Sequence, residues 1–379
     1  MLAPVDRSVF LAEHFERRAL VARGESRRFR GLPTLREVDR AVTTREIRYP
    51  DLRMAREGAS LEPRTFTRLD GVADPILVAE RIAEGATLIL NDVQTWSAPV
   101  ARICAALGRE VHGRAWANLY VAPPQAHGFV PHIDETDVFV LQLRGEKHWA
   151  LYEPAREFPP LTTISRPFEP DGPPVETVVL RPGDALYIPR GQPHSAETHA
   201  HDSIHLTIAI TPATWVTALH AALHQLAERD ERLRHAIPFG AFRSPEGARL
   251  EFEAMLRALA EGADLRRSLG RVHAEAAQER PPLAPGQIAS AFEPSPVTLD
   301  TVVSRRPAVD VAVTSAGGDI ELSVSGRAIT LPRWTRPAVR HALQRKRFRV
   351  GDLPDDLDDD AKVVLVKRLL REGIVRVVR

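Results

Sequence analysis

The chain has 379 residues, a net charge of +1, 44% apolar and 27% charged residues. These are the proportions of a soluble globular protein with room for two or three domains, and too balanced for binding a polyanion through overall charge. A single cysteine, Cys104, excludes an intrachain disulfide and a thiolate metal site.

The N-terminal "MLAPVDRSVFLAEHFERRAL" lacks a cationic start followed by an apolar core, and no run approaches the roughly 18 apolar residues of a membrane span. The expected location is the cytoplasm. "RSVFLAEHFERRALVA" has helical spacing at Phe10, Leu11, His14 and Phe15. "PTLREVDRAV" and "PILVAERIAEG" predict two further short helices, and "ATLILND" a buried strand.

From about 110 to 212 the texture becomes that of strands. Apolar and polar residues alternate in "ETDVFVLQLRG", and "KHWALYEP" returns after a turn carrying Gly145, a hairpin pattern. "ETVVLRPGDALYIPRGQPHSAE" reads as a second hairpin, with Pro182 and Gly183 where a type II turn needs them. "SIHLTIAITP" is a final strand. Several antiparallel strands with Pro/Gly turns predict a sandwich or barrel.

Residues 213–282 carry Leu and Ala at spacings of three and four, with a break near Gly262. Such helices must bury an apolar stripe, either on the barrel or in a homodimer. The proline-rich "ERPPLAPGQIASAFEPSP" (279–296) reads as a linker. After it come short strands such as "DIELSVSGRAITLP", then a helix, turn, helix, strand order ending in "LLREGIVRVV".

The chemistry concentrates in "PHIDETDVFVLQLRGEKHWALYEP" (131–154). Residues two apart in a strand point to one face, so His132 and Asp134 would project together. Taken alone, H-x-D is also the pattern of an exposed polar strand. "GDALYIPRGQPHSA" offers a third ligand, His194. Two imidazoles and one carboxylate on one side of a metal leave three positions open, the facial triad of non-haem Fe(II) oxygenases. A structural zinc site would be closed by four protein ligands. Lys147 is one of four lysines against 47 arginines. It shares a strand face with Trp149 and Leu151, which points it inward. The other reading is an exposed lysine at a hairpin end. Inside a barrel its charge would need a partner, such as the far carboxylate of 2-oxoglutarate.

These pieces, with "NLY" at 118–120 and "SIHLTI", resemble the JmjC-type, cupin-fold Fe(II)/2-oxoglutarate oxygenases, and among them the ribosomal oxygenases that hydroxylate ribosomal proteins. The resemblance implies an α+β fold: a double-stranded β-helix (jelly-roll, cupin) barrel with flanking helices, a helical dimerisation region and a C-terminal winged-helix domain. The implied divisions are 1–212 for the catalytic domain, 213–282 for dimerisation, and 283–379 for linker and winged helix. It further implies metal ligands at His132, Asp134 and His194, with Lys147 holding the far carboxylate of 2-oxoglutarate. Asn118, Tyr120 and Thr207 would line the cosubstrate pocket. The cofactor would be Fe(II), with 2-oxoglutarate and O2 consumed. The product would be a hydroxylated arginine or histidine side chain of a large-subunit ribosomal protein.

His127, His199, His201 and His205 cluster near the same site in sequence and read as pocket-lining or surface residues rather than ligands. "RKRFR" (345–349) is basic, but the adjacent "DDLDDDAK" would repel phosphate, so nucleic acid is not an expected partner. The expected partners are a protein substrate and a second copy of the chain. Two rival readings stay open: the same chemistry on a non-ribosomal or natural-product precursor peptide, and a non-catalytic binding module.

Overall fold

The structure is a computed structural model, and it describes residues 1–154, 158, 166–279, 283–292, 295–306, 309–324 and 326–378. Two compact units are present: Met1–Leu107 with Ala115–Thr211, and Gly108–Arg114 with Pro212–Arg379.

The first unit is built on β1 (Leu20–Ala22), β2 (Leu52–Arg56), β3 (Ala59–Ser60), β4 (Thr87–Leu90), β5 (Arg114–Ala122), β6 (His132–Ile133), β7 (Asp137–Gly145), β8 (Lys147–Leu151), β9 (Arg166–Pro167), β10 (Glu176–Leu180), β11 (Ala185–Ile188), β12 (His194–Glu197) and β13 (Ser203–Thr211). Helices α1 (Leu35–Thr44), α2 (Pro75–Ala83) and α3 (Ala98–Glu110) accompany them. Local chemistry sets the helix starts. Thr34 and Glu37 form a capping box at α1. Asp74 caps α2, with Pro75 at its first position.

The strands form two sheets. One has the order β1-β11-β7-β13-β5-β4-β2-β3, the other β10-β8-β12-β6-β9. Both expected hairpins are therefore corrected. β7 pairs with β11 and β13, whereas β8 pairs with β10 and β12. Likewise β10 and β11 lie in different sheets. The turns at Gly145 and at "RPGD" carry the chain from one sheet to the other, which is how a jelly roll is wound. Alternation reveals which residues share a face, not which strand lies alongside.

Both crossing turns need glycine. Gly145 has φ +62°, and a Cβ there would lie 1.7 Å from the Asp202 carbonyl oxygen. Gly183 has φ +97°, with the Glu25 carbonyl oxygen 2.1 Å from an added Cβ.

Val138, Val140, Trp149, Leu151, Leu180, Leu186 and Ile188 pack together, joining side chains of both sheets. Phe139 and Tyr187 alternate with them and so face the other way. They meet Phe10, with ring centroids 6.0 and 4.9 Å away. This explains a second difference from expectation. "RSVFLAEHFERRALVA" is not one helix: a single turn at Arg7–Val9 runs into a π-turn, Phe10–His14, closed by Phe15 N–H donating to the Phe10 carbonyl at 2.9 Å. The π-turn lets Phe10 and Phe15 both reach Tyr187. Glu16, at φ +59°, then turns the chain into β1.

The second unit contains α4 (Trp215–Ala227), α5 (Arg249–Gly262), α6 (Leu265–Glu279) and α7 (Gln287–Phe292). It continues with β14 (Val302–Arg305), β15 (Ala312–Ala316), β16 (Asp319–Val324), β17 (Arg327–Leu331), α8 (Arg336–Gln344), β18 (Arg347–Arg349), α9 (Asp359–Arg371) and β19 (Val375–Val377). The expected break near Gly262 separates α5 from α6. Of the expected linker, residues 280–282 and 293–294 lie outside the described residues, and α7 occupies much of the remainder. Two three-stranded sheets, β18-β14-β19 and β15-β16-β17, share a core with α8 and α9. The acidic run at 355–360 has a helical reason. Asp358 caps α9 by accepting from Ala361 N–H, and Asp359 and Asp360 sit in its first turn, where the helix dipole favours negative charge. No described helix is long and apolar enough to cross a membrane.

Gly145→Ala is expected to lose roughly 2 kcal/mol or more of unfolding free energy in a urea titration. Gly172→Ala, where an added Cβ meets nothing within 4 Å, is expected to stay within about 0.5 kcal/mol of wild type. Equal stability of the two variants would refute the crossing-turn account.

Candidate metal centre

β6 and β12 are antiparallel neighbours in which His132 and His194 face each other as direct cross-strand partners. Their ring centroids are 4.5 Å apart. Asp134 follows just beyond β6, where its backbone carbonyl accepts from Gly191 N–H at 3.1 Å. Its carboxylate lies 3.9 Å from His132 Nε2 and 3.6 Å from His194 Nε2. One ligand atom from each of the three residues falls within 4.8 Å of the others.

The second ring nitrogens are committed elsewhere. His132 Nδ1 donates to the Val130 carbonyl and His194 Nδ1 to the Gln192 carbonyl, each at 3.0 Å. Those bonds fix the tautomer that leaves each Nε2 lone pair free for a cation. Burial lowers the pKa of His194, a shift that the Asp134 carboxylate opposes. A neutral imidazole is the form a metal requires. The donor set of two imidazoles and one carboxylate, with no fourth protein donor in the group among the described residues, suits a cation that keeps open positions.

The triad opens into a cavity of about 490 Å3. Lys147, Asn118, Tyr120 and Thr207 all border it, from β8, β5 and β13. Lys147 is 2% exposed, on the face it shares with Trp149 and Leu151. It makes no hydrogen bond or ion pair with the described residues. Burial pushes its pKa down to about 8, against a smaller opposing pull from Glu197. Asn118 accepts from Asp92 N–H at 3.3 Å. Burial pushes Tyr120 up to about 12 and keeps it a phenol.

The other histidines divide. His127 and His199 lie outside the triad, bonded to the two oxygens of Glu197 at 3.2 and 2.8 Å, and His148 stacks on His199. His201 is exposed. His205 is buried and borders the metal-side cavity. Arg53 of β2 and Trp116 of β5 also border it, and neither was expected. β2 gives five residues of mixed character among helices, too short a run for a periodic signal.

Beneath the site, Tyr187 Oη donates to Asp137 Oδ1 at 2.5 Å and accepts from Glu16 N–H at 2.8 Å. Arg190 pairs with Glu16 at 2.8 Å. This buried network ties the N-terminal turn to the segments flanking Asp134 and His194. Asp137 is pushed up to about 6, chiefly by burial.

Residues 91–218, which include His132, Asp134, Lys147 and His194, match the JmjC domain family. Beyond that match, the chain is similar in sequence to ribosomal oxygenases. It is 34% identical over 242 residues to "Bifunctional lysine-specific demethylase and histidyl-hydroxylase NO66" of Culex quinquefasciatus, covering 60% of this chain and 37% of that protein. It is 31% identical over 256 residues to "Ribosomal oxygenase 1" of Danio rerio, covering 63% and 45%. The chain thus spans less than half the length of these two relatives. Among solved structures, Escherichia coli ycfD shares the fold across 99% of this chain and 98% of its own, with TM-score 0.59 and 18% identity. A further YcfD structure, in complex with cobalt and 2-oxoglutarate, gives TM-score 0.56 at 18% identity and the same coverage.

Calorimetric titration with Mn(II) is expected to give single-site binding that Asp134→Ala weakens at least about 100-fold. Wild-type affinity in that variant would rule out the triad as the metal site.

Lys147 gives a second expectation. Unfolded, it holds its proton up to 10.5; folded, it releases it near 8. Between those values the unfolded chain binds more protons, so stability rises with pH across that window and the penalty is greatest below it. Lys147→Met is expected to raise unfolding free energy at pH 7 by about 1–3 kcal/mol, a gain that shrinks as pH approaches 10.5. A less stable variant at pH 7 would contradict the burial penalty.

Proposed function

We propose that the protein is an Fe(II)- and 2-oxoglutarate-dependent hydroxylase of a ribosomal-protein side chain. The observation that carries this reading is the triad of His132, Asp134 and His194 opening into the same cavity as a buried lysine with no described partner. When bound, iron and 2-oxoglutarate supply the oxidation: one atom of O2 enters a substrate C–H bond, and the other leaves in succinate, formed with release of CO2.

The chain's own residues do the rest. His132, Asp134 and His194 would hold the metal through one imidazole, carboxylate and imidazole donor each. Lys147 pairs the far carboxylate of 2-oxoglutarate and gains the counter-charge its burial lacks. Asn118, Tyr120 and Thr207 supply polar groups along the cosubstrate pocket. Trp116, Val138 and Val140 make the adjoining wall apolar and limit water at the reacting centre.

Charge narrows the substrate. Two cations, Arg53 and Lys147, border the cavity, and Asp134 is the only carboxylate among the described lining residues. With Asp134 committed to the metal, nothing described there balances a guanidinium or a methylated ammonium. A neutral imidazole is tolerated, which favours histidine over arginine or lysine as the modified residue. With Fe(II), 2-oxoglutarate and O2, a histidine-bearing ribosomal peptide is expected to gain the mass of one oxygen at least about tenfold faster than its arginine counterpart. Faster modification of the arginine peptide would reverse this assignment. Activity confined to a non-ribosomal precursor peptide would favour that rival target.

In the second unit, exposed apolar side chains include Trp215 (74%), Val216, Leu219 and Leu223 along α4, and Leu250, Phe252 and Leu256 along α5. Such surface suits a homodimer built on residues 213–282, followed by a winged-helix region at the C-terminus. Catalysis on a ribosomal protein suits the cytoplasm. Sedimentation at micromolar concentration is expected to give twice the 42.0 kDa chain mass; a purely monomeric species would exclude the dimer.

A further inference from the structure

Lys147 alone does not satisfy a carboxylate. A carboxylate offers about four lone-pair sites, and inside a barrel each one left unmet is costly. Beside the hydroxyls of Tyr120 and Thr207, a further donor that adds no second charge would help to meet them.

His205 has the required properties. It stands on β13 in the same inward row as Thr207 and Ala209, and all three border the cavity. It is 4% exposed. Its ring stacks face to face on Tyr120, with centroids 4.7 Å apart and an interplanar angle of 4°. Its edge meets Trp149 at 5.5 Å and 77°. Two aromatic rings thus fix its plane. Trp149 reaches both His205 and, at 5.9 Å, His194, while the charge that acts on the His205 ring is that of Lys147, which puts His205 toward the lysine end of the cavity. Burial first, and then the Lys147 charge, hold its pKa well below the ordinary histidine value, so it stays neutral beside the cation. Nδ1 is sealed in the protein without a hydrogen-bond partner among the described residues. The nitrogen left to meet a ligand is Nε2, and neutral imidazole protonated there is a donor.

Resting on the 2-oxoglutarate reading above, we infer that His205 and Lys147 form a two-point clamp for the far carboxylate, the lysine giving the charge and His205 Nε2–H a neutral hydrogen bond. One positive charge then meets one negative charge, and no surplus is buried. The clamp selects a 2-oxo acid with a second carboxylate. Tyr120 orients the His205 ring by stacking.

The test is calorimetric binding to the Mn(II)-loaded full chain, with no turnover involved. His205→Phe keeps an aromatic ring against Tyr120 and Trp149 but removes the N–H. His205→Gln restores a donor near the Nε2 position. His205→Phe is expected to weaken 2-oxoglutarate about 10- to 100-fold, with His205→Gln recovering at least about fivefold of the loss. Affinity for 2-oxobutyrate, which ends in a methyl group instead of the far carboxylate, is expected to stay within about twofold in both variants. Unchanged 2-oxoglutarate affinity in His205→Phe overturns the clamp. So does an equal loss for the two 2-oxo acids, which would trace the effect to the metal end. Failure of the wild-type Mn(II) protein to bind 2-oxoglutarate overturns the oxygenase reading itself, and the clamp with it.

Discussion

An ammonium group held out of water with no counter-charge in contact is among the least favourable things a folded chain can contain. Among the described residues Lys147 has no ion-pair partner and only the weaker pull of Glu197, and much of the first unit can be understood through it. The two packed sheets must offset the burial, and they do so with apolar side chains on both sides of β7 and β11. The same apolar wall lowers the local polarity, and a charge there acts more strongly on a ligand than it would in water. A site that is costly when empty and balanced by an anion gives up resting stability for selective binding.

The two crossing turns put that charge and the metal triad in one chamber. Because Gly145 passes the chain from β7 to β8, Lys147 begins a strand of the smaller sheet rather than returning beside its predecessor. That sheet also carries His132 on β6 and His194 on β12. The larger sheet supplies the opposite wall, with Tyr120 from β5 and His205 and Thr207 from β13. A metal end and a cation end therefore come from sequence segments as far apart as His132 and His205. Neither sheet alone makes the site.

Much of this was legible in the sequence, for identifiable reasons. His132 and Asp134 share a face through the period of two, and His194 follows a turn signal. Lys147 is rare by type and alternates with Trp149 and Leu151, which marks its face. What stayed hidden depends on partners rather than periods. Both expected hairpins are sheet-to-sheet crossings, because alternation is the same in either arrangement. The N-terminal helix became a π-turn because Phe10 and Phe15 both seek Tyr187, some 170 residues away. Arg53 sits on a five-residue strand with no distinct pattern. His205 could be placed on the right face of β13, yet its neutral state and its stacking on Tyr120 emerge only from the fold.

The most direct measurement of the central claim is a crystal structure grown with Mn(II) and 2-oxoglutarate under anaerobic conditions, read through the anomalous signal of the metal. The expected result is one metal peak bound by His132 Nε2, Asp134 and His194 Nε2, with the 2-oxo acid end of the ligand on the metal and its far carboxylate against Lys147. A metal closed by four protein ligands, or a ligand whose far carboxylate points away from Lys147, would contradict it.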